Sequence, residues 1–447
     1  MNTFRGGIHP YEGKEITEDK AVINVSPKGE MVFAMDQHIG SPATVCVNVG
    51  DSVKKGQIIG EPSGFISANV LSSVSGTVKA IEDRMSIFGT KSICVVIEND
   101  GLDTWDEKWG SEKVAGEDAW KDYTRDRIIE IVKDAGIVGL GGAAFPTHIK
   151  LNPKNFEKID TVLINGAECE PYLTSDYRDM IESKDDLICG CKILQKVFPN
   201  AEIKICIEDN KPKAIESLTE CVADEEKISI VTLKTKYPQG GERQLIYAVT
   251  KRKINSKKLP AEVNVIVDNV GTVIAIYNAV VKNTPLLGRV ITCSGDAFLK
   301  PGNYYVPCGM NYLTFINETC PFIATPKKII NGGTMMGTAV ASLDIPFSKR
   351  SNALLAFLED DEDIYDTTPC INCKRCMDAC PINLMPMSMM NCALSHQYEE
   401  YNKLNGLECI ECGCCTYVCP AKRPLTQNFK MMKKKTLEYL KTKEAGK

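Results

Sequence analysis

One cysteine pattern occurs twice near the end of this chain, as Cys370-x₂-Cys373-x₂-Cys376-x₃-Cys380-Pro381 and as Cys409-x₂-Cys412-x₂-Cys415-x₃-Cys419-Pro420. In each run, three closely spaced thiolates can face one iron–sulfur cluster, while the fourth cysteine starts a separate turn and can reach the other cluster. The proline that follows stops a helix from continuing. The repeated run therefore predicts two [4Fe–4S] clusters, one held by Cys370, Cys373, Cys376 and Cys419 and the other by Cys409, Cys412, Cys415 and Cys380.

Other uses of these cysteines fit the pattern less well. Zinc sites favour pairs of cysteines over triplets followed by Cys-Pro. A disulfide framework is typical of secreted proteins, and we expect no secretory signal because residues 1–5 lack its apolar core. Cys392 and Cys414 fall outside the spacing and are expected to pack rather than bind iron. Because clusters relay single electrons and do no bond chemistry alone, we expect a donor or acceptor site elsewhere in the chain.

The bulk composition is typical of a soluble protein with several domains. The chain has 447 residues, of which 43% are hydrophobic and 25% are charged. Its net charge of −5 argues against nucleic-acid binding. The most apolar long stretch, residues 261–281, contains Glu262 and Asp268 and should not cross a bilayer. Twenty cysteines in such a chain indicate metal or redox chemistry in a cytoplasmic or peripheral protein.

Upstream of the cysteines, the hydrophobic pattern changes along the chain. Between residues 36 and 100, alternating apolar residues separated by turn signals predict a compact β module. From residue 124 onward, predicted helices alternate with strands at 161–164, 203–207 and 228–233, which favours a parallel α/β sheet. Residues 285–325 return to a strand-like pattern with Gly and Pro at the turns.

A glycine-rich stretch, Gly139-Leu-Gly141-Gly142-Ala-Ala-Phe145-Pro-Thr-His-Ile-Lys150, precedes the first of these strands. Glycines let a backbone approach a phosphate, and the lysine supplies a positive charge. The stretch lacks the third glycine of the dinucleotide fingerprint, so by itself it could be an ordinary turn. Ligands of open α/β sheets bind at the carboxyl ends of strands. Three further segments follow predicted strands and are therefore candidate ligand contacts: Asn165-Gly-Ala-Glu168-Cys-Glu170, Tyr237-Pro-Gln-Gly240-Gly241-Glu242 and Asp268-Asn269-Val-Gly-Thr272. Each of these segments could also be only a turn or a helix cap.

Together these segments resemble the FMN- and NADH-binding flavoprotein subunit of respiratory complex I. The order of the segments, from Phe4-Arg-Gly-Gly-Ile-His-Pro10 to the paired cysteine runs, is similar over nearly the whole chain to the RnfC family, whose members are components of the Rnf complex, the membrane-bound ferredoxin–NAD⁺ oxidoreductase. Two departures from complex I stand out: Leu140 replaces a basic residue, and the cysteine run is duplicated. The resemblance implies that Gly139, Gly141, Gly142 and Lys150 contact the FMN phosphate and ribityl chain, and that Asn165, Asn269 and Thr272 complete the flavin site. It also implies that Phe145 and Glu170 contact NADH. The same cleft would be lined by Glu168, Gly240, Gly241 and Glu242.

The resemblance also implies a multidomain α/β fold. The expected parts are an N-terminal segment (1–35), a biotinyl/lipoyl-like β barrel-sandwich (36–100), a Rossmann-like FMN- and NADH-binding domain (120–260), a β-grasp (SLBB-type) domain (261–325), a helical connector (326–364), a two-cluster ferredoxin-like α domain (365–425) and a basic tail (426–447). A carrier domain needs a lysine on its exposed hairpin, and residues 60–74 contain none. We therefore expect the barrel-sandwich to be structural or to dock a partner. The tail is either a solvated helix end or a segment attracted to anionic lipid or an acidic partner.

The implied function is that of an NAD(H)-interacting electron-transfer subunit of an ion-translocating enzyme, carrying FMN and two [4Fe–4S] clusters on the cytoplasmic face of the membrane. The implied partners are the membrane components RnfA, RnfD, RnfE and RnfG, the iron–sulfur component RnfB and, indirectly, ferredoxin. Hydride transfer between NADH and a flavin needs no general acid or base from the protein, so we assign none. Two alternatives are a soluble corrinoid reductase with FMN and clusters, and a non-enzymatic relay or scaffold protein with no active nucleotide site.

Overall fold

Two small antiparallel sheets form the N-terminal β module, as the alternating apolar residues predicted. The computed structural model describes residues 2–87, 89–110, 116, 118–360 and 366–445. Met31, Phe33, Val78 and Val95 are buried between the sheets. The first sheet has the order β2 (Glu30–Ala34), β8 (Lys91–Asn99), β7 (Gly76–Met85) and β4 (Ser52–Val53), and the second has the order β3 (Thr44–Val45), β5 (Ile58–Glu61) and β6 (Val70–Leu71).

A four-stranded parallel sheet follows, with the order β11 (Ile228–Leu233), β10 (Glu202–Glu208), β9 (Thr161–Gly166) and β12 (Val265–Asn269). Its central strands are buried on both faces, which is why they are apolar runs. The accompanying helices are α1 (Arg125–Asp134), α2 (Thr147–Lys150), α3 (Ser175–Glu182), α4 (Lys184–Val197), α5 (Pro212–Cys221), α6 (Glu242–Thr250) and α7 (Val270–Val280).

This sheet extends further along the chain than the sequence predicted. Residues 261–280 were expected to begin a β-grasp domain, but β12 pairs in parallel with β9, and α7 packs on α4. The side chain of Asn269 accepts a hydrogen bond from the backbone N–H of Gly271, so the strand passes directly into the helix through an N-cap. The α/β domain therefore includes both elements.

The third part of the fold is a six-stranded mixed sheet. Residues 326–364 were expected to be a helical connector, but the described part of that range contains three strands and no helix. Its apolar residues, among them Ile330, Leu354 and Leu355, are buried in sheet pairs, so the segment satisfies its backbone through neighbouring strands rather than locally. The sheet order is β1 (Val22–Asn24), β14 (Gly302–Pro307), β13 (Gly288–Ser294), β17 (Ala353–Phe357), β15 (Lys328–Asn331) and β16 (Thr338–Ala339), with α8 (Tyr312–Glu318) packed nearby.

The cysteine-rich domain is built from short helices around two loops and ends in a helix of 21 residues. The predicted basic tail is not separate from it, because Phe429 and Met432 of the last helix are buried in the domain core. Lys433 donates to the carbonyl of Cys409 at 2.9 Å, so part of the basic tail supports a cluster loop. The helices are α9 (Arg375–Asp378), α10 (Pro386–Leu394), α11 (Tyr398–Lys403), α12 (Cys414–Tyr417) and α13 (Leu425–Ala445). Among the described residues, no helix is both long and apolar enough to cross a membrane.

Candidate flavin and iron–sulfur sites

The structure brings the two predicted cysteine sets around two separate cavities. Cys370, Cys373, Cys376 and Cys419 line one cavity, which we call the first cluster site. Cys380, Cys409, Cys412 and Cys415 line the other, which we call the second cluster site. Within the part of the chain that the structure describes, no three His, Cys, Asp or Glu side chains are close enough to hold one metal ion. Thiolates spread around a cavity suit a four-iron cluster, because each thiolate binds a different iron.

The two cluster loops share one backbone design. Asn372 and Lys374 in the first loop, and Glu411 and Gly413 at the equivalent places in the second, all have a positive φ. These left-handed turns curl the loop so that its three cysteines face inward. A short helix then follows each loop.

The two cluster sites differ in exposure. Cys370 and Cys373 are exposed, whereas Cys380 and Cys412 are buried. Burial raises the pKa of the Cys409 thiol to about 11 and that of the Cys415 thiol to about 12. The thiolates of Cys409 and Cys415 therefore need the positive charge of iron to form at neutral pH.

The glycine-rich loop is a closed turn that lies against the start of α7. The backbone N–H of Gly139 donates to the carbonyl of Phe145 at 2.9 Å, and the N–H of Leu140 donates to Oγ1 of Thr272 at 2.9 Å. A side chain at Gly141 would contact Asn269. At Gly142, whose φ is +111°, no atom of the described residues beyond the chain neighbours lies within 4 Å of the Cβ position. The loop therefore presents backbone to open space, as a phosphate-binding loop requires.

Lys150 lies beside this loop but is already ion-paired. Its Nζ donates to Oδ1 of Asp268 at 3.0 Å and to the carbonyl of Val267 at 2.7 Å, and it lies 4.0 Å from the position of a Cβ at Gly139. Burial raises the pKa of Asp268, and the lysine opposes that shift. The second oxygen of Asp268, Oδ2, is buried with no hydrogen-bond partner among the described residues. No role was predicted for Asp268, although its place at a strand end was the available signal.

Asn165 joins two of the strand-end segments. Its side-chain amide donates to the carbonyl of Gly240 at 2.8 Å, and the backbone N–H of Gly240 points to the sulfur of Cys169 at 3.3 Å. The next residues, Gly241 and Glu242, cap and begin α6, and burial raises the pKa of the Glu242 carboxyl.

Orphaned polar atoms mark this side of the cleft. Both amide atoms of Gln239 and Oε1 of Gln244 are buried and lack a hydrogen-bond partner within the described ranges. Such atoms are costly unless a bound group satisfies them. Together with the open glycine loop and the unpaired oxygen of Asp268, they fit a polar ligand such as FMN.

Glu168 has a structural task that the sequence did not reveal. Its carboxylate accepts hydrogen bonds from the backbone N–H groups of Asp176 at 2.7 Å and Tyr177 at 3.3 Å, at the first turn of α3. Asp176 in turn accepts from the amide of Asn269 at 2.7 Å. Burial, reinforced by Glu168, raises the pKa of Asp176 to about 7. Asp176 is thus a further component of the site, and its proximity in sequence to the acidic segment could have suggested it.

Glu170 connects the cleft with the second cluster site. Its carboxylate accepts from the backbone N–H of Met335 at 3.1 Å, and burial raises its pKa to about 7. The Tyr237 hydroxyl donates to the carbonyl of Cys412, a residue of the second cluster site, at 2.8 Å, and the same hydroxyl oxygen lies 3.4 Å from Oε1 of Glu170. Phe145, the other predicted NADH contact, is half-buried in the glycine loop. Tyr237 and Met335 were not predicted.

A flavin cleft that contacts one of two cysteine-lined cluster sites defines a flavin- and iron–sulfur-dependent electron-transfer protein. Models of known families match three parts of the chain. Residues 2–102 match the RnfC barrel sandwich hybrid domain, residues 132–278 match the Nuo51 FMN-binding domain, and residues 362–434 match a 4Fe-4S dicluster domain.

The chain belongs to the RnfC family of the Rnf ferredoxin:NAD(+) oxidoreductase complexes. It is 42% identical over 435 residues to the RnfC component of the proton-translocating ferredoxin:NAD(+) oxidoreductase complex of Clostridium ljungdahlii, covering 97% of this chain and 94% of that protein. It is 40% identical over 436 residues to the RnfC component of the Na(+)-translocating complex of Acetobacterium woodii, covering 97% of both. Among solved structures, an NAD+-reducing [NiFe]-hydrogenase in the H2-reduced state is similar, with a TM-score of 0.49, 16% identity and coverage of 73% of this chain and 65% of that chain.

The family models and the two relatives confirm the predicted family, the FMN-binding domain and the two-cluster domain. They also extend the FMN-binding match to residue 278, which agrees with the inclusion of β12 and α7 in the α/β domain.

Proposed function

We propose that this chain is the component through which a membrane-bound, ion-translocating ferredoxin:NAD⁺ oxidoreductase exchanges electrons with NAD(H). The observation that carries the proposal is the line of contacts from Glu170 to the Tyr237 hydroxyl, at 3.4 Å, and from that hydroxyl to the carbonyl of Cys412, at 2.8 Å. It joins the cleft where NAD(H) and FMN would meet to a cluster site. A protein that only stored clusters would have no use for that connection.

Several residues of the cleft would hold FMN and NAD(H). Bound FMN supplies the conversion between a two-electron hydride and single electrons. Lys150 and its partner Asp268 would place a charge pair beside the phosphate, and Glu170 would face the nicotinamide together with Phe145. The remaining proposed contacts are the loop glycines Gly139, Gly141 and Gly142, the polar residues Asn165, Asn269 and Thr272, and the cleft residues Glu168, Gly240, Gly241 and Glu242.

The two cluster sites would have different positions in the electron path. The second cluster site is buried and touches the cleft through Tyr237, whereas Cys370 and Cys373 expose the first cluster site to solvent. The first site is therefore suited to exchange electrons with another protein. In the proposed complex that protein is the iron–sulfur component RnfB, which connects to ferredoxin.

The other domains would serve assembly. We assign a Rossmann-like fold to the parallel-sheet domain and a β-grasp (SLBB-type) fold to the six-stranded sheet. The N-terminal module would be a biotinyl/lipoyl-like domain that docks a partner, since residues 60–74 contain no lysine to carry a cofactor. The chain would lie on the cytoplasmic face of the membrane, held there by the membrane components RnfA, RnfD, RnfE and RnfG.

The test begins with the purified, cluster-loaded protein. It should release FMN on denaturation, and NADH added without oxygen should bleach the flavin absorbance and then the cluster absorbance. Cluster absorbance with no flavin after reconstitution with FMN would instead identify a relay or scaffold protein. Flavin that is reduced only with a corrinoid acceptor present would identify a soluble corrinoid reductase.

A further inference from the structure

The glycine-containing segment near the N-terminus lies between the flavin cleft and the cluster domain. We call residues 4–17 the N-terminal strap. Phe4 is buried, with Nζ of Lys236 lying 4.7 Å from its ring centroid and donating to its carbonyl at 3.1 Å. Ile8 and Tyr237 exchange two backbone hydrogen bonds of 2.9 Å each. The strap is therefore fixed to the segment that carries the Tyr237 hydroxyl.

The strap also contacts the second cluster site. The backbone N–H of Gly7 donates to the carbonyl of Ala379 at 2.9 Å, next to the ligand Cys380. Gly6 has a φ of +80°, and a Cβ there would lie 2.5 Å from the carbonyl oxygen of Cys380. A Cβ at Gly7 would lie 2.6 Å from the carbonyl oxygen of Tyr237. Only glycine lets the backbone pass through this gap.

Further along, the strap holds the acidic segment of the cleft. Nζ of the buried Lys14 donates to the carbonyls of Glu168 at 2.9 Å and Glu170 at 3.1 Å, and also to that of Leu173. The backbone N–H of Tyr172 donates to the carbonyl of Glu12 at 2.6 Å. One short segment thus contacts the backbone beside Glu170 and the backbone beside Cys380.

We propose that the N-terminal strap is the positioning element that fixes the second cluster site against the flavin cleft. This inference rests on the proposed function, because it assigns the strap to the electron step between flavin and cluster. The strap residues do not take part in the chemistry. They determine the separation of the two groups between which single electrons pass, and Lys14 sets the position of Glu170.

Gly6→Ala tests the proposal, with Gly29→Ala as the matched control. Gly29 also has a positive φ, +64°, but among the described residues no atom beyond its chain neighbours lies within 4 Å of its Cβ position. Both variants therefore carry similar backbone strain, and only Gly6→Ala meets an obstacle. To reach an ordinary contact with the Cys380 carbonyl, the Gly6→Ala backbone must move by about 1 Å. Electron transfer between the flavin and the cluster slows several-fold for each ångström added to their separation. Stopped-flow absorbance measures flavin bleaching by NADH and the later reduction of the clusters as separate phases.

We expect Gly6→Ala to slow cluster reduction while flavin bleaching by NADH stays at the wild-type rate, and Gly29→Ala to change neither. Hydrogen exchange at the amides of Gly7, Ile8 and Tyr237 should accelerate in Gly6→Ala alone. Wild-type cluster reduction in Gly6→Ala would overturn the proposal.

A second variant covers the case in which Gly6→Ala does not retain its iron. Phe4→Leu loosens the strap without a clash, and an unchanged cluster phase together with unchanged amide exchange in that variant overturns the proposal. If NADH fails to bleach the wild-type flavin, the proposed function fails. The exchange measurement still decides whether the strap holds the two sites together.

Discussion

Replacing Lys14 with methionine should destabilise the protein by about 3–5 kcal/mol, because one charged donor shared by three backbone carbonyls is lost. Methionine has similar length but no donor, so the three backbone carbonyls that accept from Lys14 lose that donor. Each unsatisfied buried carbonyl costs about 1–3 kcal/mol. The total is smaller than their sum because burial already disfavours the ammonium, as the lowered pKa of Lys14 indicates.

Lys20→Met is the matched control for this prediction. Lys20 lies on the same segment and donates to the carbonyl of Pro301 at 2.8 Å, but this contact is exposed, so its loss should change stability by no more than about 0.5 kcal/mol. Urea unfolding of the cluster-loaded protein, followed by both flavin fluorescence and circular dichroism, measures the difference. A Lys14→Met variant within about 0.5 kcal/mol of Lys20→Met would refute the reasoning that this lysine supports the acidic segment.

Three further predictions concern the cleft and the second cluster site. Lys150→Ala should weaken FMN binding by roughly tenfold or more in a fluorescence titration, since a charge-assisted hydrogen bond contributes about 1.5–3 kcal/mol. Lys154 is an exposed neighbour, and Lys154→Ala should leave FMN affinity unchanged. The pKa of Glu170 is raised to about 7 in the folded protein, so the folded state binds an extra proton and the free energy of unfolding falls as pH rises toward and through 7. Glu170→Gln should flatten this pH dependence by up to about 1.4 kcal/mol per pH unit in unfolding measured from pH 5.5 to 8. An unchanged pH dependence would contradict the raised pKa of Glu170. Cys414→Ala should retain both sets of cluster signals in EPR spectra whereas Cys412→Ala should lose one, and loss of a cluster in Cys414→Ala would make Cys414 a ligand.

The sequence predicted those features that depend on residues close together in the chain. The cysteine spacing predicted which cysteines line each of the two cavities, because a cluster loop is a local structure whose few positive-φ turns recur at equivalent positions, such as Asn372 and Glu411. The central strands of the parallel sheet were also predictable, since burial on both faces leaves an apolar run such as that of β9. The class of cofactor followed from these local signals.

Features that depend on distant contacts could not be predicted in the same way. The Tyr237 hydroxyl lies against a carbonyl 175 residues away, and Lys14 reaches a carbonyl 156 residues away. The hydrophobic periodicity of a sequence does not indicate which distant residues form a hydrogen bond. The short strands at residues 328–331 and 353–357 were misjudged for a related reason: each is too brief to show a period, and their pairing partners determine that they form a sheet.

Because these distant contacts join the cleft to the second cluster site, removal of that cluster should affect NAD⁺ binding and removal of the other should not. Cys412→Ser should displace the carbonyl that accepts from the Tyr237 hydroxyl, and with it the hydroxyl that lies 3.4 Å from Glu170, the proposed nicotinamide contact. One lost hydrogen bond of about 1 kcal/mol corresponds to roughly fivefold weaker NAD⁺ binding. Cys370→Ser removes a proposed ligand from the exposed first site, which makes no such contact among the residues described, so NAD⁺ affinity should remain that of the wild type. Equal NAD⁺ affinity in the two variants, measured by titration calorimetry after iron analysis, would show that the Tyr237 contact does not couple the cleft to the second cluster site.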